Sequence, residues 1–190
     1  MNIINIPNVI TLFRIALIPL LVITFYFPDE SLLMKDRNFI ATIIFLIAAI
    51  TDWLDGFLAR KLSQSSDFGA FLDPVADKLI IISALLLLLE FGRIGSVVAL
   101  IIIGREFAIS SLREWMAKLG QAGGVAVAFI GKLKTTIQMI AILFLLYYED
   151  IGIIPIGQIG LIMIYIAAFL TLASMLYYLK ISIRTLKNIK

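Results

Sequence analysis

Six apolar stretches separated by short polar ones run along the chain: Val9 to Phe27, Phe39 to Ala59, Pro74 to Phe91, Ser96 to Met116, Val125 to Tyr148 and Pro155 to Leu179. A helix that crosses a bilayer needs about 20 apolar residues, so each stretch is long enough to span or nearly to span. The third and fourth depart from the pattern. The third has an unbroken apolar core only from Leu79 to Leu89 and reaches spanning length only with Asp77 and Lys78 on the helix near its entrance. The fourth carries Arg105 and Glu106 well inside. Charge at such depth marks a buried polar cavity. The sustained polar stretches are Pro28 to Asn38, Arg60 to Asp67 and the residues from Lys180 onward, and none has room for a soluble domain. The pattern predicts one domain over residues 1–190, an all-α integral membrane protein with six transmembrane helices. Met1 to Pro7 is expected along the interface, with Asn5 or Asn8 beginning the first long helix around Pro7.

Composition supports that reading. Hydrophobic residues make up 62% of the chain and charged ones 15%, with a mean hydropathy of +1.06, values that belong to multi-spanning membrane proteins. With the amino terminus inside, most lysines and arginines fall at the inner face, from Arg60 and Lys61 to the group between Lys180 and Lys190, while Lys35, Arg37 and Arg93 fall outside. Positive charge is retained on the cytoplasmic side, so both termini and the polar cavity are expected to face the cytoplasm, across the cell's inner membrane. The first stretch is expected to be retained and not cleaved as a signal peptide, since it lacks a basic leader and a small-residue cleavage site and Arg14 interrupts it. Cysteine is absent, which excludes disulfides, thiolate metal sites and cysteine nucleophiles. Histidine is absent too, which removes a phosphohistidine intermediate and leaves carboxylates as the proton acceptors.

The candidate chemistry is concentrated in four aspartates. Asp52 and Asp55 are three residues apart, and Asp73 and Asp77 are four apart, so each pair lies on one face of its own helix and two packed helices can present all four to one point. An unpaired carboxylate at mid-bilayer costs about 2.5 to 3.5 kcal/mol, so four left idle would forfeit roughly 10 kcal/mol. Oxygen-only ligands in this number suit a hard divalent cation, Mg²⁺ or Mn²⁺, and two ions better than one. Two such ions can clamp a diphosphate. Gly56 and Gly69 allow a backbone or a phosphate to approach the carboxylates, and plain helix packing explains them equally well. Arg60 can reach the same phosphate as a fork donor or serve as an interface anchor beside Lys61.

A second, basic group follows: Arg105, Arg113, Lys132 and Lys134. The positive-inside rule accounts for Arg113, Lys132 and Lys134 one at a time, but Arg105 is nine residues into its stretch, where a polar pocket suits it better. Together they predict a site for a second anion, and Glu106 is expected to pair with a neighbouring cation. The rival reading of buried acids is an ion-coupled carrier. It is disfavoured because the acids are confined to one end of two helices and no inverted repeat of Gly/Pro-broken segments is evident.

The spacing Asp52-x2-Asp55-Gly56-x2-Ala59-Arg60-x8-Gly69-x3-Asp73-x3-Asp77 matches the signature of the CDP-alcohol phosphotransferase family without a departure. The resemblance covers nearly the whole chain. It implies the family's fold, six membrane helices with an interfacial amino-terminal segment. It also implies metal binding by Asp52, Asp55, Asp73 and Asp77, with Asp77 the proposed base and Asp73 and Asp77 the catalytic pair. Gly56, Arg60 and Gly69 would contact the CDP part of CDP-diacylglycerol together with Asp52 and Asp55. Asn8 and Thr11, in Asn8-x2-Thr11-x2-Arg14, resemble the family's first-helix nucleotide contacts. Gly104-Arg105-Glu106, Ser111-Leu-Arg113 and Gly131-Lys132-Leu-Lys134-Thr135 resemble the motifs of members whose acceptor is glycerol 3-phosphate. Sister enzymes that use inositol phosphate or serine are the alternatives. The resemblance further implies a homodimer, for which small residues at Gly104, Ala108 and Ser111 are suggestive. The partners expected are thus the two substrates, membrane lipid and a second copy, and no nucleic acid.

Overall fold

The computed structural model describes residues 6–28, 30–62, 67–119 and 129–187. The described residues form six α-helices: α1 Ile6–Phe25, α2 Met34–Leu62, α3 Asp67–Glu90, α4 Ser96–Lys118, α5 Phe129–Tyr147 and α6 Ile156–Lys187. Each apolar stretch corresponds to one helix, and several helices outrun their apolar part. α2 continues through Arg60 and Lys61, and α3 begins at Asp67, so the polar stretch expected between them is helical at both ends. Pro74 lies inside α3 and does not open it. Its missing N–H removes one backbone bond immediately after Asp73. α6 likewise runs past Leu179 to Lys187. The expected interfacial segment lies outside the described residues as far as residue 5.

The turn before α6 is tight. Ile151 and Ile154 exchange backbone hydrogen bonds of 3.1 Å around Gly152, whose φ is 63°. Gly160 is already inside α6, where an added Cβ would fall 2.9 Å from Cβ of Phe144. Its role is the close approach of α5 and α6, the most extensive helix pair.

Leu21, Phe45, Leu85, Ile102, Ile142 and Ile164, one from each helix, meet in a single buried cluster. Outside it, large apolar side chains face outward, among them Val97, Leu100 and Phe169, at 68%, 72% and 71% exposure. Apolar surface on this scale belongs against lipid. Asn8–Phe25 of α1 and Ile156–Lys180 of α6 are long and apolar enough to cross a bilayer, and Leu133–Tyr147 of α5 is a shorter apolar stretch. α2, α3 and α4 carry most of the charges that build the site. The protein is an all-α membrane protein.

At the opposite end, buried Arg93 closes the bundle. It follows Gly92, whose φ of 66° ends α3, and its own N–H donates to the Leu88 carbonyl at 2.8 Å. Its guanidinium donates to the carbonyls of Leu145 and Leu146 at 2.8 and 2.9 Å, satisfying the end of α5, and to Oδ1 of Asn38 on α2. It also lies over the Tyr148 ring, 4.5 Å from the centroid. Burial pushes the guanidinium below its usual pKa, with Tyr148 and Glu149 acting in the other direction.

Candidate active site

α1 packs extensively on both α2 and α3, while α2 and α3 touch each other little. The two aspartate-bearing helices are therefore joined through α1. Asn8, Thr11 and Arg14 are three residues apart and line one face of α1, all buried. Thr11 Oγ1 donates to Oδ1 of Asp73, and Arg14 Nη1 donates to Oδ1 of Asp77. The same Arg14 nitrogen lies 3.2 Å from Oδ1 of Asp52. The Asp77 carboxyl thus has Asp52, Asp73 and Arg14 as charged neighbours. The sequence reading attaches nucleotide contacts to Asn8 and Thr11 and gives Arg14 no role. Its three-residue spacing from Thr11 was the available signal.

Asp55, Gly56 and Arg60 belong to α2 and Gly69 to α3. The side chains of Asp55, Arg60 and Lys132 lie outside the described residues. Gly69 is buried near the start of α3. Among the described residues no group of three acids converges closely enough to hold an ion. Asp52, Asp73 and Asp77 nonetheless share one cavity wall, and a donor set made only of carboxylate oxygens has the chemistry of a hard-cation site.

That cavity, about 860 Å³, runs from Asp52, Asp73 and Asp77 to Arg105 and Arg113. Its α5 wall carries Thr135 and Gln138. The expected carboxylate site and the expected anion site are two ends of one space. Arg105 is buried, and its Nη1 lies 3.1 Å from Oε1 of Glu106. Lys134 is 1% exposed and its Nζ lies 2.8 Å from the same Glu106 oxygen. Glu106 therefore pairs with cations, as its sequence position suggested. Lys134 is engaged in that pair and is not among the cavity-lining residues, whereas Arg113 is exposed and lies over the Tyr178 ring at 5.6 Å.

The sequence that builds this arrangement is matched by a family model. The model described as CDP-alcohol phosphatidyltransferase covers residues 4–174. The chain belongs to that family. It is 48% identical over 184 residues to a CDP-diacylglycerol–glycerol-3-phosphate 3-phosphatidyltransferase of Wigglesworthia glossinidia brevipalpis, covering 96% of this chain and 97% of the relative. The enzyme of the same name from Haemophilus influenzae is 49% identical over 184 residues, covering 94% and 93%. That of Escherichia coli strain K12 is 49% identical over 177 residues, covering 92% and 93%.

Proposed function

We propose that this chain transfers the phosphatidyl group of CDP-diacylglycerol to the 1-hydroxyl of sn-glycerol 3-phosphate, giving phosphatidylglycerophosphate and CMP. The observation that carries the reading is the single cavity with Asp52, Asp73 and Asp77 at one end and Arg105 and Arg113 at the other. A nucleotide diphosphate and a phosphorylated alcohol are both anions, and this cavity has a place for each. High identity over nearly full length to enzymes named for this reaction supports the same choice.

The acceptor oxygen attacks the β-phosphorus, the bond from that phosphorus to the CMP oxygen breaks, and CMP leaves with the electron pair. Asp77 takes the hydroxyl proton, the one task for which a chain without histidine has carboxylates to offer. Mg²⁺ or Mn²⁺, two ions held by Asp52, Asp55, Asp73 and Asp77, supplies neutralisation of the diphosphate and of the departing phosphate when bound. Thr11 and Arg14 orient Asp73 and Asp77, and Asn8, Gly56, Arg60 and Gly69 stand with them on the CDP side. Arg105 and Arg113, with Lys132, receive the acceptor phosphate, and Lys134 acts through Glu106.

The reading extends to topology and assembly. Six membrane helices are supported by the six apolar stretches, and the placement of both termini and the site on the cytoplasmic side of the inner membrane by the charge bias. A homodimer is supported by the exposed small residues Gly104, Ala108 and Ser111 on α4, since no atom lies within 4 Å of a Cβ added at Gly104. The deciding experiment supplies the purified protein with CDP-diacylglycerol, Mg²⁺ and one alcohol at a time. Glycerol 3-phosphate is expected to give CMP and a phosphorylated lipid. Product from serine or inositol phosphate with none from glycerol 3-phosphate would overturn the choice of acceptor.

A further inference from the structure

Gln138 lines the cavity from α5, one turn beyond Lys134 and therefore on the same helix face. It is 1% exposed, and its Oε1 is buried with no hydrogen-bond partner among the described residues. Nε of Arg105, across the cavity on α4, is in the same condition. Buried polar atoms are ordinarily paired, and one that is not asks for a partner that the protein does not supply. Two of them on one cavity, a donor on an arginine and an acceptor on an amide, describe a ligand with an anionic group and a hydroxyl. The unpaired atom is the amide oxygen, an acceptor, which a hydroxyl can satisfy by donating its proton and an ionised phosphate, itself only an acceptor, cannot. Its contribution is selective for the hydroxyl.

We infer that Gln138 determines acceptor specificity, its amide hydrogen-bonding the C2 hydroxyl of glycerol 3-phosphate, the hydroxyl that does not react. This rests on the acceptor reading above. A site built around a buried polar group discriminates strongly against an analogue lacking its partner, because that group is then left unpaired in the complex. An apolar side chain at the same place has nothing to leave unpaired.

The test compares kcat/KM for glycerol 3-phosphate with that for 3-hydroxypropyl phosphate, which keeps the reacting hydroxyl and the phosphate and lacks the C2 hydroxyl. The wild-type enzyme is expected to prefer glycerol 3-phosphate by about 100-fold or more. Gln138→Met is expected to bring the two within about threefold, with KM for CDP-diacylglycerol unchanged. Its thermal midpoint without substrate is expected to hold or rise, because the substitution removes an unpaired buried oxygen. A wild-type enzyme that uses both alcohols equally overturns the proposal whatever the variant does. So does a Gln138→Met enzyme that keeps the wild-type ratio, and a lowered midpoint with that ratio intact assigns Gln138 to the fold alone. Absence of any turnover with glycerol 3-phosphate overturns the acceptor reading instead, which separates the two failures.

Discussion

Lys134 on α5 and Glu106 on α4 form an ion pair of 2.8 Å that crosses the wall of the cavity, and Arg105 approaches the same carboxylate oxygen at 3.1 Å. One acid thus serves two buried cations, and the consequences of losing each partner differ. Glu106→Gln strands both cations and should cost about 3 to 5 kcal/mol of stability. Lys134→Met leaves Glu106 still paired with Arg105 and should cost distinctly less. Thermal unfolding in a lipid-like detergent checks the order. A Lys134→Met enzyme with unaltered stability and only a raised KM for the acceptor would mean that Lys134 meets the phosphate directly.

Arg14 bridges Asp52 on α2 and Asp77 on α3 from α1, and it is the described cation nearest both. Arg14→Gln removes that bridge and leaves like charges facing one another. Turnover should fall by about 100-fold, as misplacement of reacting groups by roughly 1 Å does. Arg14→Lys keeps the charge without the planar guanidinium and should recover part of the rate. Initial rates at saturating CDP-diacylglycerol measure both, and equal rates for Arg14→Gln and wild type would remove Arg14 from the site.

The aspartate spacing was legible because a helix turns three or four residues onto one face, and the family spacing fixes which acids share it. Six helices were legible from the apolar stretches. Their ends were not, because α2 runs on through Arg60 to Leu62 and α3 begins at Asp67, on residues that neither favour a membrane nor break a helix. The places of Arg14 and Gln138 in the site were hidden for another reason. A lone arginine in an apolar stretch reads as an interruption, and a glutamine carries no charge signal. Their meaning comes from α1 lying against both aspartate helices and from the cavity wall that α5 supplies, relations between elements far apart in the chain.

Thr11 donates to Asp73 and is fully buried. Thr11→Val keeps the shape of the side chain and deletes the donor. The net stability loss should be small, about 1 kcal/mol. Turnover should fall by roughly tenfold through a looser Asp73, and Thr11→Ser should restore it. Parallel rate and melting measurements separate the two effects. A large loss of stability with normal turnover would make Thr11 a packing residue.

Arg93 is remote from the chemistry and holds the carbonyls of Leu145 and Leu146 together with Asn38. Arg93→Met leaves those acceptors unpaired in a buried place, at about 1 to 3 kcal/mol for each group. The thermal midpoint should drop sharply while kcat and both KM values stay near wild type below the transition. Normal stability of the variant would show that water replaces the guanidinium at no cost.

Arg113 lines the cavity opposite the aspartates, exposed and lying over the Tyr178 ring at 5.6 Å. An exposed guanidinium contributes little to folding, so Arg113→Ala should leave the melting midpoint within a degree or two of wild type, about 0.5 kcal/mol. Its loss should be felt by the acceptor phosphate. KM for glycerol 3-phosphate should rise by about tenfold or more, the equivalent of one charge-assisted hydrogen bond, with KM for CDP-diacylglycerol nearly unchanged. The asymmetry is what identifies the end of the cavity at which each substrate binds. If KM for CDP-diacylglycerol rises instead, Arg113 serves the nucleotide, and the two ends of the cavity exchange roles.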